Sequence, residues 1–354
     1  MTVSPALSLF LRRASRGLVV LAALGAAGFA TAAALMFFWV LPNIADHRDT
    51  VASLMSRALG QRVTLEAVSG VWQQARPEFR LQGVRLHDKQ DRPALYLPEL
   101  EAAFAWRSLL FMEPRFNRIE LQGLTRGVRR ARDGHLYVGG IPVNPADADS
   151  GFASWLLRQG RVHAGKATLT WLDEMRNAPP LILQDVDFTL SNTRRAHHLK
   201  LHAVPPATLA RPLTIEAHLS SRNTDDIKTW NGRVEASVAG VSLPRLATWL
   251  ELPFLTPQGW GALKLTSTVT HGTFSRVTAG LDLREIETVL GADLPALKLA
   301  RVRGQAMWTR SPDGQRVAFE NLRMARPGGT LGAPFDAGLA WNADSRELTA
   351  RAFS

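Results

Sequence analysis

The sequence predicts a mainly β fold: an N-terminal transmembrane helix, then a long, curved, mostly antiparallel β-sheet forming an elongated groove, with a few short helices. Three observations carry this. Residues 18–41, LVVLAALGAAGFATAAALMFFWVL, make an uncharged run. Beyond it, one segment after another alternates apolar and polar residues at period two, the pattern of a strand with one buried face. The phrase LQG also occurs twice, in FRLQGVRL (79–86) and IELQGLTR (119–126), and both times the alternation slips by one position at the glycine. A glycine at a phase slip indicates a β-bulge, an extra residue that bends the strand.

As a helix, Leu18 to Leu41 would rise about 36 Å, enough for a hydrocarbon core of about 30 Å. Arg12, Arg13 and Arg16 precede it with no acidic residue among positions 1–16, while Asp46 and Asp49 follow it among mixed charges. The positive-inside rule therefore places residues 1–17 in the cytoplasm and the rest of the chain across the membrane. A cleaved signal peptide is the competing reading, with small residues at Ala30 and Ala32. Against it, the apolar run continues through MFFWVL, and Trp39 stands where an interfacial anchor belongs.

Residues 42–140 divide into a leading helix and a first set of strands. In NIADHRDTVASLMSRAL (43–59), Val51, Leu54, Met55, Ala58 and Leu59 share a helical face, and Gly60 supplies the stop. Strands follow over 62–66, 79–86, 94–100 and 119–130, with turns at Asp91-Arg92-Pro93 and Asp133-Gly134. Residues 141–150, IPVNPADADS, have linker composition. From 151 to 354 the strands resume. LTIEAHLSS sets Leu213, Ile215, Ala217 and Leu219 against Thr214, Glu216, His218 and Ser220. LKLTSTVT sets Leu263, Leu265 and Val269 against Lys264, Thr266, Thr268 and Thr270, and MWTRSPDGQRVAFENLRM reads as a hairpin. Short helices are expected over 151–160, capped by Ser150, and over 242–252, capped by Ser242 with proline in the first turn. So many one-faced strands with so few helices leave two architectures: two sheets closed as a sandwich, or one sheet curled into a trough with an apolar lining. The glycine slips favour the trough.

Composition narrows the chemistry. The formal charge is +11, but 36 of the 42 basic residues are arginine in an alanine-rich chain, a bias that GC-rich coding also produces. Without cysteine there is no disulfide framework, thiolate metal site or cysteine nucleophile. No phosphate loop, GxSxG elbow or HExxH is present, and GGTLG (328–332) lacks the lysine and helix of a phosphate loop. In RRAHHLKLHAV, His198 and His202 point the same way on a strand with Lys200 between them, which opposes a metal, and His197 reads as a satisfied, partly buried side chain. Asp173-Glu174 reads as a solvated strand end, and Arg126, Arg129, Arg130 and Arg132 as a charged strand edge, with anionic lipid headgroups as an alternative partner. The expectation is no enzyme, no cofactor, no metal and no nucleic-acid partner.

The order of segments also carries a resemblance. After the membrane helix, GQRVTLEAVSGVW, RPEFRLQGVRLHD, LEAAFAWRSLL and IELQGLTRGVRRARDGHLYVGG follow in the order of AsmA-like proteins. TWLDEMRNAPPLILQDVDFTLSNTRRAHHLKLHAVPPATLARPLTIEAHLS and KTWNGRVEASVAGVSL are similar to the YhdP branch. This implies an inner-membrane-anchored, single-pass protein of Gram-negative bacteria, the bulk of it in the periplasm. Its relatives build a long β-groove like that of bridge-like lipid transfer proteins and are implicated in moving phospholipid toward the outer membrane. They are also much longer, so this chain, ending inside the alternating stretch RELTARAFS, is expected to be truncated. The implied partners are phospholipids, the inner membrane, and outer-membrane or periplasmic proteins. The family brings no catalytic residues. Its working part would be the groove lining, for which alternation offers Leu199, Leu201, Leu213, Ile215, Leu219, Leu263, Leu265 and Val269. A lipid conduit and a dry structural scaffold for outer-membrane biogenesis both remain open on this evidence, with a hydrolase a distant third.

Overall fold

The computed structural model describes residues 5–73, 76–87, 91, 93–108, 115–123, 125–138, 141–142, 155–224, 226–249, 255–289, 295–311, 314–341 and 348–353. Helix α1 (Pro5–Leu35) continues through a wider turn at Met36–Val40 and two short turns over Leu41–His47 into α2 (Arg48–Leu59). The uncharged run is thus helical from end to end, and the side chains of Leu18, Leu21 and Leu24 along it are exposed. An apolar helix exposed along most of its length suits lipid rather than water.

Gly60 ends α2 in the left-handed conformation (φ 67°), its N–H donating to the Ser56 carbonyl. Val51, Ala52, Met55 and Leu59 pack on the sheet. Leu54, expected on that face, is instead 47% exposed. At 3.6 residues per turn it lies about 115° from the centre of the packed face, which Ala52 completes.

Nineteen strands form one sheet: β1 (Val63–Thr64), β2 (Ala67–Gln73), β3 (Arg76–His87), β4 (Pro93–Phe104), β5 (Phe116–Gln122), β6 (Thr125–Arg130), β7 (Leu136–Val138), β8 (Ile141–Pro142), β9 (Arg161–Asp173), β10 (Leu181–Asn192), β11 (Ala196–Val204), β12 (Leu213–Ser220), β13 (Asn231–Ser242), β14 (Leu255–Thr270), β15 (Thr273–Val289), β16 (Leu297–Ser311), β17 (Gly314–Ala325), β18 (Phe335–Trp341) and β19 (Leu348–Phe353). Sequence neighbours pair antiparallel from β2 to β5 and from β9 to β19. β1 and β2 share one edge of β3. β5 and β6 lie end to end along β9, both parallel to it, so the strands before and after residues 141–150 belong to one ladder.

The LQG phrases mark where this ladder bends. Gly83 has φ 61°, and beyond it burial shifts phase, with Leu81, Val84 and Leu86 all facing inward. β4 shifts with it, through Leu100, Leu97 and Leu95. The register on either side of Gly83 is unbroken, Gln82 opposite Glu99 and Val84 opposite Leu97. The one-residue bulge expected there is therefore a kink shared by two strands, with no unpaired residue. Gly123 separates β5 from β6, and Lys166, with φ 52°, answers it on β9. Further along the ladder, Asp185, Gly240, Glu285 and Asn321 also take positive φ. Register shifts fall beside them in the β10–β11, β13–β14, β14–β15 and β16–β17 pairs. The seam crosses the sheet, and bulges bend and twist the strands that carry them.

The second helix is shorter than expected: α3 is Leu243–Leu246, with Pro244 in its first turn. Ser242 makes no side-chain cap; its N–H donates to Leu209 O instead. Residues 250–252 lie outside the described residues, as do Ser150 and residues 151–154 of the other expected helix, of which 155–157 are helical. After α3, Trp249 packs with Leu181, Val238, Leu246 and Leu263 around Leu209, Ala210 and Val241. This segment reaches over the apolar face from the β13–β14 connection to the start of β10. All described strands belong to one sheet, so a trough, not a sandwich, is the architecture.

Candidate functional site: an apolar trough

The cross-strand register lines up apolar residues in rows. One row takes a residue from each of β2–β5 and β9–β19. It runs Val68, Leu81, Leu100, Leu121, Ala164, Phe188, then Leu201, Ile215, Ala236, Leu265, and then Ala279, Ala306, Phe319, Ala337 and Ala352. A second row, two residues away, carries Ile119, Val162, Leu190, Leu199, Ala217 and Val234, then Ser267, Val277, Trp308 and Val317. Ser267, its polar member, donates its hydroxyl to Arg276 O at 3.1 Å.

All eight residues read as lining from the sequence fall on this face. Leu201 pairs with Ile215, and Ala236 connects Ile215 to Leu265. Val238 joins Leu213 to Leu263, Gly232 joins Leu219 to Val269, and Leu199 sits opposite Ala217. Sequence reading missed Phe188, Phe319, Val277 and Trp308. They alternate like the others, in DFTL, RVAF, RVTA and MWTR, and only the register shows that they join the same rows.

The face is covered at one end, crossed further along by the segment carrying Trp249 and half-exposed between and beyond. Over β2–β5 and β9, the rows are buried beneath Val51, Ala52, Met55 and Leu59 of α2 and beneath Trp155, Leu156 and Leu157. From β11 onward, the cover among the described residues is the segment around Trp249, over Val238 and Leu263. Leu199, Leu201, Leu213, Ile215, Leu219, Leu263 and Val269 are half-buried, and Leu265 is 39% exposed. Side chains in a dry core between two layers would be closed off on both sides.

The opposite face is wet. Thr214, Glu216 and His218 are exposed, and Lys200 pairs with Glu216 at 3.5 Å. The Arg301 guanidinium makes two hydrogen bonds to Asp282, 2.9 and 2.7 Å, and holds its carboxyl below the usual range, aided by the charges of Arg301, Arg284 and Arg303. Nearer the N-terminus, Arg80 reaches Glu101 and Glu99, and its hydrogen bond to Glu101 raises its own pKa. Such exposed pairs add little stability each, but they fix which face meets water. A cavity of about 860 Å³ lies among Thr214, Ser237, Lys264, Asp282, Arg303 and Leu331. Thr214, Ser237 and Lys264 belong to the wet rows, and Val238 and Leu263 of the apolar rows line it as well.

The other candidate groups are structural. His198 and His202 are exposed on the wet face, and the His198 ring meets His218 edge-on at 4.6 Å. His197 is 2% exposed. Its ring nitrogens lie 2.8 Å from Asn192 Oδ1 and 3.1 Å from Ser221 Oγ, and it stacks on Trp230 at 4.4 Å. Burial lowers its pKa, with the charge of His198 adding to the shift. Asp173 corrects the reading of a solvated strand end. It is 2% exposed, between Arg130 at 3.6 Å and Arg176 at 3.8 Å, while Glu174 takes Arg129 at 3.0 Å. The basic run is likewise no bare edge, because Arg129 and Arg130 lie on β6 paired on both sides, by β7 and β9. Among the described residues, no group of three or more His, Asp or Glu is placed to hold a metal ion.

The model of one protein family, described as YhdP protein, matches residues 1–353. No curated protein and no solved structure matches the chain.

Proposed function

Since the chain belongs to the YhdP family, we propose that its open sheet is a conduit for phospholipid, anchored in the inner membrane by Leu18 to Leu41 and extending through the periplasm toward the outer membrane. The observation that carries this is the unbroken apolar row from Val68 to Ala337, half-buried once α2 no longer covers it. Neighbouring strands lie about 4.8 Å apart, so the part from β11 to β18 offers a path of roughly 34 Å. Acyl chains would lie along the rows, and their headgroups would stay in water at the rim. Transfer needs no catalytic group or cofactor, because the lining only has to make an acyl chain nearly as stable as it is in a bilayer. The burial free energy, about 0.8 kcal/mol per CH₂, is what such a lining preserves.

Photo-crosslinkers on β12 test this reading. Placed at Leu213, Ile215 and Leu219 they should capture phospholipid, and at Thr214, Glu216 and His218 they should not, because successive side chains on a strand point to opposite faces. Ile215→Asp should fold and abolish capture from Leu265, two strands along the same row. Equal capture from both faces, or from neither, would leave the sheet a scaffold rather than a conduit.

A further inference from the structure

On β15–β17, arginines stand directly opposite each other at two places on the wet face: Arg284 opposite Arg301, and Arg303 opposite Arg323. Like charges facing each other across strands are destabilising. The first pair is answered within the protein. Arg301 is held by Asp282 at 2.9 and 2.7 Å, and Arg284 lies over the Trp260 ring at 5.5 Å. The second pair is not answered. Among the described residues, no side chain forms a hydrogen bond or ion pair with the Arg303 or Arg323 guanidinium, and both residues are exposed. The charge of Arg303 is felt by Asp282, but that carboxylate is already taken by Arg301. A register shift between Arg303 and Gln305 lies beside the pair, and bulges re-aim side chains.

We propose that the cavity of about 860 Å³ that these arginines line binds a phosphate ester of a small polyhydroxy alcohol, its phosphate held between Arg303 and Arg323. Two adjacent guanidiniums match a phosphate because each offers parallel N–H donors to its several oxygens. The charge balance favours an anion. Arg303, Arg323 and Lys264 line the cavity, and Asp282 is the one carboxylate among the described lining residues. Arg301, which neutralises Asp282, lies outside that lining. The floor leaves room for the rest of the ligand. Gly280 sits between Lys264 and Gln305 in the register, and a Cβ on it would meet nothing closer than Lys264 O at 3.7 Å. Across this gap Lys264 stands two strands from Arg303, about 10 Å, the reach of a small extended phosphoester. At that end the Thr214 and Ser237 hydroxyls share one hydrogen bond at 2.7 Å, which leaves one O–H and further lone pairs for ligand hydroxyls. No aromatic ring lines the cavity among the described residues, so nothing there stacks on a nucleobase. The site needs no lipid in the trough.

Titration calorimetry of the full chain in phosphatidylcholine nanodiscs tests this, with glycerol 3-phosphate as the probe. Saturable binding is expected. Arg303→Gln and Arg323→Gln should each weaken it at least about tenfold, the loss of charge-assisted hydrogen bonds. Gly280→Leu keeps every charge but fills the floor, and should weaken it as well. Arg233→Gln, on β13 outside the lining, should leave it unchanged. Inorganic phosphate should bind more weakly, because it leaves the Lys264 end empty; equal affinity would overturn the alcohol end of the assignment. Vesicles then identify the source of the ester. Phosphatidylglycerol vesicles that displace the probe, where phosphatidylcholine vesicles do not, mean a lipid headgroup, and a probe that stays bound means a soluble ester. No saturable binding, or a loss in Arg233→Gln equal to that in Arg323→Gln, overturns the site and leaves only diffuse attraction to a basic surface. Lipid capture from Ile215 reads the apolar face, so the conduit can fail with this site intact, or the reverse.

Discussion

The indole N–H of Trp249 donates to the carbonyl of Pro179 at 2.9 Å, joining two connections 70 residues apart. One follows β9 and the other follows α3, so the bond ties the two ends of the four-strand stretch β10–β13. Trp249→Phe keeps the ring and loses the donor, which should cost about 1 kcal/mol. Trp249→Ala also removes the packing on Leu181 and Leu246 and should cost roughly 2 kcal/mol, less than for a fully enclosed tryptophan because this one is half-buried. Thermal unfolding measures both. Amide exchange should show faster opening at Leu181 and Val241, and unchanged protection there would mean that Trp249 does not hold the trough's shape.

An added charge should separate the covered end of the apolar face from its open part. Val84 is 0% exposed, so Val84→Lys buries an ammonium without a partner, at a cost of several kcal/mol. Leu265 sits on the uncovered part, where Leu265→Lys can extend its amine into water at a cost of about 1 kcal/mol or less. Urea midpoints of the two variants should differ widely. Similar, large losses at both positions would mean that the face near Leu265 is packed rather than open.

These contrasts show what was legible in the sequence and what was not. Alternation in LTIEAHLS and LKLTSTVT was enough to put Leu213, Ile215, Leu263 and Leu265 on one face, because strand periodicity is local. It could not choose between a sandwich and a trough, since both bury alternate residues. Register decides that, and register depends on pairings such as Ile215 with Ala236 that no single strand encodes. Periodicity likewise misplaced Leu54 by a fraction of a turn. Asp173 was misread because its partners Arg130 and Arg176 reach it only once β6 lies along β9. The LQG glycines were legible as bends, but their sharing of the bend with Pro98 and Lys166 belongs to the partner strands.

Gly83 should be intolerant of a side chain for a reason that another strand glycine lacks. At φ 61°, a non-glycine residue pays about 1–2 kcal/mol, and its Cβ would collide with the Glu66 side chain. Gly83→Val adds the stiffness of a β-branched residue and should lose at least that much. Gly280, on β15, meets nothing closer than Lys264 O at 3.7 Å. Gly280→Ala should stay within about 0.5 kcal/mol or stabilise slightly by restricting the unfolded chain. Equal effects in chemical denaturation would show that the bend at Gly83 does not depend on its backbone conformation.

His197 sets an acid limit on this end of the sheet. Every group packed on its ring is neutral: Asn192, Ser221 and the Trp230 indole. The adjacent His198 adds positive charge when protonated, so nothing nearby favours an imidazolium. In the unfolded chain the ring takes a proton near pH 6.5, and in the folded chain only at a lower pH. Between those two values the unfolded state binds more protons, so stability rises with pH across that window. The contribution is complete above about pH 6.5 and is lost as pH falls through the folded pKa. Unfolding midpoints should therefore drop between pH 7 and pH 5 in the parent chain. The drop should be smaller in His197→Gln, whose side chain does not titrate, although that variant starts less stable. At pH 7.5, His198→Ala and His202→Ala should each change stability by no more than about 0.5 kcal/mol, as exposed positions do. A His197→Gln variant that keeps the full acid loss would place the titrating group elsewhere in the sheet.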